Sequence, residues 1–417
     1  SELYDKYNLT ARKVLTGSFK DSFSKTYSEE EKENFLSYEN LTDQERELNK
    51  RELELINEYE RLAEEEYTFD YKGRTWNVDM LMEDEDLSYG ETRDIYTGIV
   101  KAENAAVVPV FQELVKVRKQ LAELKGYDTY TDYVYEELYG RDFTGKDIAE
   151  LRETVIKEIM PLYYDLQYYL DECGYDTYET EAVSGKEIVE TVSSYISNVS
   201  PELQESLDYL QEHDLYCMEN KENMANIGFT VALKQYGTAY VFLKTKEAFY
   251  DYESFIHEFG HYNVFHRTYF EDEDPDLLRV DLCEIHSQGM EVLFADNMEE
   301  ILPDRAEWME AYIVQSLLYC VITAFEYDEF QQEVYARGDM TADELNALAY
   351  EINQKYLGES FGDKGKNYDW VMIDHTFTQP LYYIGYGTAG LSSLNIWSLS
   401  KEDYESAVDK YLNLTAL

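Results

Sequence analysis

Six prolines and twenty glycines are the strong breakers available to 417 residues, so long stretches carry nothing that stops a helix. Glu, Leu, Lys and Tyr recur along them at helical spacing, and the chain is expected to be mostly α-helical. Thr42 followed by Glu45 has the form of a capping box, after which Leu48, Leu55, Tyr59 and Leu62 share one face of a helix reaching about residue 65. A longer helix is expected from about residue 91 to 125, closed by Gly126, and another opens at residues 144–147. Strand is expected in two places. Residues 67–76 alternate around a Lys72-Gly73 turn, and residues 228–243 carry Phe229, Val231, Leu233 and then Tyr240 to Leu243 around a Tyr236-Gly237 turn.

No internal repeat, low-complexity linker or proline hinge separates independent units, so the expectation is one helical domain in two lobes, approximately residues 1–200 and 201–417. Charge is the outlying quantity: 36 basic residues face 87 acidic ones, a formal net charge of -51. Such a chain repels phosphate backbones and anionic lipid surfaces, which argues against nucleic acid as a partner, and a solvated acidic surface is the plain account of the excess. Cys173, Cys217, Cys283 and Cys320 form no CxxC pair, so neither a disulfide framework nor a cysteine metal site is expected, only buried thiols. No stretch reads as the roughly 18 apolar residues of a membrane span, and no basic-plus-apolar leader opens the chain, so a soluble polypeptide is expected. The chain opens on Ser1 rather than Met, which leaves open an earlier portion or a removed leader and, with it, a cytoplasmic or an exported location. Its oligomeric state is not legible.

The chemistry concentrates in residues 254–261, where His257, Glu258 and His261 form an HExxH pattern inside a helix expected to begin near Asp251. Two histidines four apart project from one helical face and can offer imidazole nitrogens to a single Zn²⁺. Glu258 is adjacent but angularly offset, placed to take a proton from a water on that metal as the water attacks a carbonyl. A catalytic zinc usually takes three protein ligands, and Glu284 is the candidate third. Asp274 and Pro275 look like the N-cap and first position of a second helix, with Leu278, Leu282 and Ile285 as its apolar stripe. A tight acidic turn at residues 271–274 would return Glu284 across from the histidines; spacing alone equally allows an ordinary surface carboxylate. Glu253 and Asp281 are placed to orient an imidazole, though an unspecialised surface charge is the plainer reading of each. His213 and His266 lie off the ligand face and read as structural or exposed.

Asp281, Glu284, Ser287 and Gln288, following HEFGH, resemble the D-x-x-E-x-x-S-Q signature of the thimet oligopeptidase and oligoendopeptidase F family of zinc metallopeptidases. His375, followed by Tyr382, Tyr383, Gly385, Tyr386 and Gly390, resembles that family's C-terminal histidine and its glycine- and tyrosine-rich segment. Residues 118–133, with Gly126-Tyr127 after Leu124-Lys125, are similar to a helical segment of the same family. The patches span about residues 118 to 390. His286 stands where the family often has proline, and the N-terminal lobe is abbreviated relative to the family, as though an N-terminal portion were absent.

The resemblance implies a multi-helical, two-lobed gluzincin-type metallopeptidase with a small β-sheet beside the HExxH helix, one Zn²⁺ per chain, and short peptides as substrates. By position, it implies that His375 and Tyr386 stabilise the oxyanion, with Tyr383 on the same wall. The strand from Ala239 to Leu243 resembles the edge on which such peptidases lay an extended substrate, and alternation equally allows a covered core strand. The function expected is a zinc-dependent oligopeptidase hydrolysing internal bonds of short unstructured peptides. Two alternatives stand beside it: an HExxH carboxypeptidase or dipeptidyl carboxypeptidase, and a catalytically silent peptide-binding protein.

Overall fold

The structure, a computed structural model, describes residues 2–17, 32, 35–36, 41–82, 84, 86–174, 183–221, 224, 227–246, 250–267, 280–358, 363 and 365–415. Helix dominates. The described helices of ten or more residues are α1 (Glu2–Leu15), α2 (Asp43–Ala63), α3 (Tyr89–Lys125), α4 (Gly145–Thr154), α5 (Met160–Cys173), α6 (Gly185–Tyr195), α7 (Pro201–Glu212), α8 (Tyr250–Arg267), α9 (Val280–Phe294), α10 (Ala306–Arg337), α11 (Ala342–Asn353), α12 (Ile384–Glu402) and α13 (Tyr404–Leu414). The strands are β1 (Phe69–Tyr71), β2 (Arg74–Trp76), β3 (Tyr216–Glu219), β4 (Gly228–Leu233) and β5 (Thr238–Lys244).

The chain forms two compact units. One comprises Ser1–Leu138, Asp142–Gly145 and Asp328–Tyr382; the other comprises Tyr139–Arg141, Lys146–Tyr327 and Tyr383–Leu417. The division read near residue 200 is therefore replaced by one in which residues 328–382 complete the first unit. Sequence shows no break at residue 327 because that point lies inside the uninterrupted helix α10.

In the first unit, α2 begins as its capping box requires: Glu45 N–H donates to Thr42 Oγ1 at 3.1 Å, and Thr42 N–H donates to Glu45 Oε2 at 2.5 Å. Leu55 and Tyr59 are buried on the face turned toward α3. Helix α3 starts after Ser88, whose N–H donates to Glu91 Oε2, and stops at Gly126, which takes φ +86°. Lys72 and Gly73, both at positive φ, make the two-residue turn between antiparallel β1 and β2, the handedness that matches strand twist. Arg118 is fully buried, its guanidinium bonded to Glu52 at 2.7 Å, to the Tyr335 hydroxyl at 3.1 Å and to the Phe377 carbonyl. The Phe377 ring in turn stacks on Tyr59 at 3.9 Å. The segment that resembled a family helix thus contributes a core tie.

In the second unit, β3, β5 and β4 form one sheet in that order, β5 parallel to β3 and antiparallel to β4. The hairpin at Tyr236-Gly237 appears where expected, with Gly237 at φ +65°. The expected edge at Ala239 to Leu243 is corrected: β5 is the middle strand and Ala239 is fully buried. Strand β3, only four residues long, is what covers it, and so short a strand left no alternation to read. The edge is β4. Helix α9 is a core helix, every residue from Glu284 to Phe294 buried, packed against α8, α12 and α13. Leu282 and Ile285 pack into that core as expected, while Asp274, Pro275, Leu278 and the turn at residues 271–274 lie outside the described residues.

Helix α10 amends the reading of membrane spans. By length and composition it is apolar enough to cross a bilayer, although 61% of its most apolar 18-residue window is buried inside the fold, the pattern of a core helix. The four cysteines are thiols outside any disulfide, and they are half-buried where full burial was expected.

Burial works against the charged form of Glu45, yet the Lys125 ammonium and the Thr42 hydroxyl and N–H hold its carboxyl at about 2 instead of 4.5. A carboxyl depressed on folding stabilises the fold above its unfolded value, and that contribution disappears as pH falls from 4.5 toward 2. Glu45→Ala is therefore expected to lose about 1 kcal/mol at pH 7. The deficit should shrink between pH 4.5 and 2 in denaturant unfolding, and a deficit independent of pH would assign the loss to packing instead.

Candidate metal centre

Helix α8 carries His257, Glu258 and His261, and α9 carries Glu284. What lets the two helices meet is Gly260. A Cβ placed there would lie 2.7 Å from the Ser287 Cα and closer still to the His286 carbonyl, so backbone rests on backbone with no space for a side chain. The contact sits one residue before His261 and two to three after Glu284, which brings the imidazoles and the carboxylate to the same level.

His257 Nε2 lies 3.5 Å, and His261 Nε2 3.6 Å, from Glu284 Oε2. The donor atoms of the three residues all fall within 4.8 Å of one another. Donors about 2.1 Å from a tetrahedral Zn²⁺ stand about 3.4 Å apart, so the two imidazole-to-carboxylate spacings match one shared ion. Charge agrees. Burial would lower the His257 imidazole, but Glu291 first, then Glu284 and Glu258, raise it to about 10. Burial would raise the Glu284 carboxyl, yet His261, His257 and the Ser287 hydroxyl hold it at about 2. A field that draws protons onto a half-buried imidazole is one in which a divalent cation competes well for the same nitrogens. Two imidazoles, a buried carboxylate and no thiolate are the donor set of a catalytic zinc.

Glu258 is buried beside this cluster, with Thr230 Oγ1 2.7 Å from its Oε2. Gly228, at the start of β4, clears the other oxygen: a Cβ there would come within 3.2 Å of Glu258 Oε1. A cavity of about 300 Å³ opens against the pair, lined among others by Gly228, Tyr250, Glu253, His257, Glu258 and Glu291.

Ser287 and Asp281, both from the motif on α9, have separate tasks. Ser287 Oγ donates to Glu284 Oε2 at 2.9 Å and fixes the carboxylate's rotamer. Asp281 takes both arms of the Arg141 guanidinium, at 2.7 and 2.8 Å, and faces Gly385, where a Cβ would come within 2.8 Å of its Oδ1. Both of its oxygens are taken by Arg141, with the start of α12 packed close against it, so it does not orient an imidazole. Burial, then the charge of Glu291, pushes the Glu253 carboxyl up to about 8. The carboxylate on His257 is Glu291, its Oε1 2.6 Å from Nδ1. Sequence reading passed over Glu291 and Thr230. The first had a signal, since it follows Glu284 by seven residues, two helical turns along the same face; the second needed the sheet's register.

Tyr383 and Tyr386 stand at the start of α12, ring centroids 5.0 Å apart, in the same unit as the metal cluster. Burial, then Cys320 and Tyr319, raises the Tyr383 phenol, which keeps it a proton donor. His375 belongs to the other unit, on the short turn His375–Thr378, with its ring stacked on Tyr382 at 5.1 Å.

Fold and site together have the form of a helical metallopeptidase. Comparison with solved structures supports the fold half of that statement. The chain is similar to Pz peptidase A with an inhibitor (TM-score 0.72, 23% identity, 99% of this chain and 78% of that one). It is also similar to a Bacillus anthracis structure described as oligoendopeptidase F (TM-score 0.73, 21% identity, 100% and 77%), and less so to Trypanosoma cruzi metallocarboxypeptidase 1 (TM-score 0.52, 14% identity, 99% and 87%). At these identities the likeness is one of fold, and the chain has the oligoendopeptidase F fold. No protein-family model and no curated protein matches the sequence.

Gly260→Ala is expected to cost about 2–3 kcal/mol, because neither helix backbone can yield a few tenths of an ångström without moving Glu284. Denaturant unfolding of metal-free protein measures this, and an unchanged midpoint would show that α8 and α9 do not depend on the contact.

Proposed function

We propose that this chain is a zinc-dependent oligopeptidase that hydrolyses internal bonds of short, unstructured peptides. The observation that carries the reading is the convergence of His257, His261 and Glu284 with Glu258 alongside, on the fold shared with oligoendopeptidase F and Pz peptidase A. Bound zinc would supply Lewis acidity, polarising the scissile carbonyl and bringing the pKa of a water toward neutrality. Glu258 takes the proton of the attacking water and passes it to the leaving amine. The Thr230 hydroxyl holds one Glu258 oxygen and leaves the other on the side that Gly228 keeps open. Tyr386 is assigned as a hydrogen-bond donor to the developing oxyanion, and the protonated Tyr383 phenol as a further donor.

Substrate lies along β4 in this reading. Lys244 N–H donates to the Ile227 carbonyl, so by antiparallel alternation residues 229, 231 and 233 bond to β5 while the main-chain groups of Gly228, Thr230 and Ala232 point away from it. Among the described residues no further strand pairs with β4. An extended peptide added there is held by its backbone, which makes binding tolerant of sequence and selects unfolded chains.

A carboxypeptidase or dipeptidyl carboxypeptidase reading draws on the more distant likeness to metallocarboxypeptidase 1. Mapping the products of a peptide library separates it from internal cleavage.

The test is bound metal plus turnover of a quenched peptide library. Glu258→Gln should retain zinc and lose about 10²–10⁴-fold in kcat, and Tyr386→Phe should lose about 10²-fold with KM little changed. Equal turnover by Glu258→Gln and the parent would remove Glu258 from the mechanism, and zinc binding without any cleavage would favour a silent peptide-binding protein.

A further inference from the structure

We propose that Glu291 is a positioning residue for the metal centre: it holds the proton of His257 on Nδ1 and fixes the ring so that Nε2 is presented to the cation. This rests on the metal-binding reading above. The contact is short, 2.6 Å from Oε1 to Nδ1, in the range of a charge-assisted hydrogen bond. The opposite ring nitrogen is the one facing Glu284, at 3.5 Å. One carboxylate on each side of the imidazole leaves the ring two fixed points and no free rotation. Which nitrogen of a histidine binds a metal is set by the bond its other nitrogen makes.

The scaffold makes this arrangement rigid. Glu291 is 5% exposed, and it rises from the same face of α9 as Glu284, two turns further on. A single buried helix therefore contributes both the carboxylate that joins the metal cluster and the carboxylate that orders one of its imidazoles. Any displacement of α9 moves the two together, so their spacing from each other is kept within one rigid element. A neutral imidazole in water prefers its proton on Nε2, the atom needed bare for a metal; Glu291 reverses that preference before any metal arrives.

The experiment compares the parent with Glu291→Gln, which keeps a carbonyl oxygen to accept from Nδ1, and Glu291→Leu, which keeps bulk and removes the acceptor. Zinc dissociation constants from chelator competition should weaken roughly 10–100-fold in Glu291→Leu and by a smaller factor in Glu291→Gln. Nitrogen NMR of the metal-free proteins, recorded at a pH where the His257 ring is neutral, should show its single proton on Nδ1 in the parent and in Glu291→Gln, and on Nε2 in Glu291→Leu. A purely structural role would shift the unfolding midpoint without this change of protonated nitrogen. Parental zinc affinity together with a parental His257 spectrum in Glu291→Leu would overturn the proposal, as would an unprotonated Nδ1 in the parent. A parent that binds no zinc would sink the metal-binding reading instead, and the NMR arm would still decide what Glu291 does.

Discussion

The contact on which the rest of this centre depends is the approach of α8 to α9 at Gly260. Two helices normally keep 8–10 Å between axes because side chains separate them. Here one position has none, and the His286–Ser287 backbone occupies its place. The donors on both helices are then short enough to reach a common point. Glu284 is an ordinary-length carboxylate and the imidazoles are not extended, so a side chain between the helices would leave the three donors too far apart to share one ion. The glycine inside HExGH is thus as much a part of the metal geometry as the residues that touch the metal.

Around that contact, buried polar groups are each held by a partner with a different origin. Glu284 is held by Ser287 from its own helix, Glu258 by Thr230 from the sheet and His257 by Glu291. Burying this many charges is unfavourable unless each has a partner, and a cation in their midst would provide the remaining compensation. The acidic character of the whole chain adds to it, since a net charge of -51 favours cations everywhere and most of all in a recess.

Much of this was readable from sequence because it rested on local rules. The Thr42–Glu45 box, the Lys72-Gly73 turn, Gly126 as a stop and the HExxH spacing each depend on residues within a few positions of one another, and the structure places each where periodicity and capping put it. Glu284 came from linked motifs, since spacing left it indistinguishable from 86 other acids. What failed had long-range causes. Ala239 was misread as an edge because β3, a four-residue strand from elsewhere, covers β5. Asp281 read most plainly as a surface charge, and its tie to Arg141, 140 residues earlier, was out of reach of local rules. The lobe boundary was invisible because it falls within α10, where helix propensity is continuous.

Thr230 ties a surface detail to the reactive carboxylate. Side chains alternate along β4, so the hydroxyl meets Glu258 in one register and faces the opposite side of the sheet in the next. That register is counted out by the residues between Leu233 and Thr238. A slip of β4 by a single residue would therefore untether a buried glutamate 28 positions further along the chain, so the length of an exposed hairpin bears on a group that never touches it.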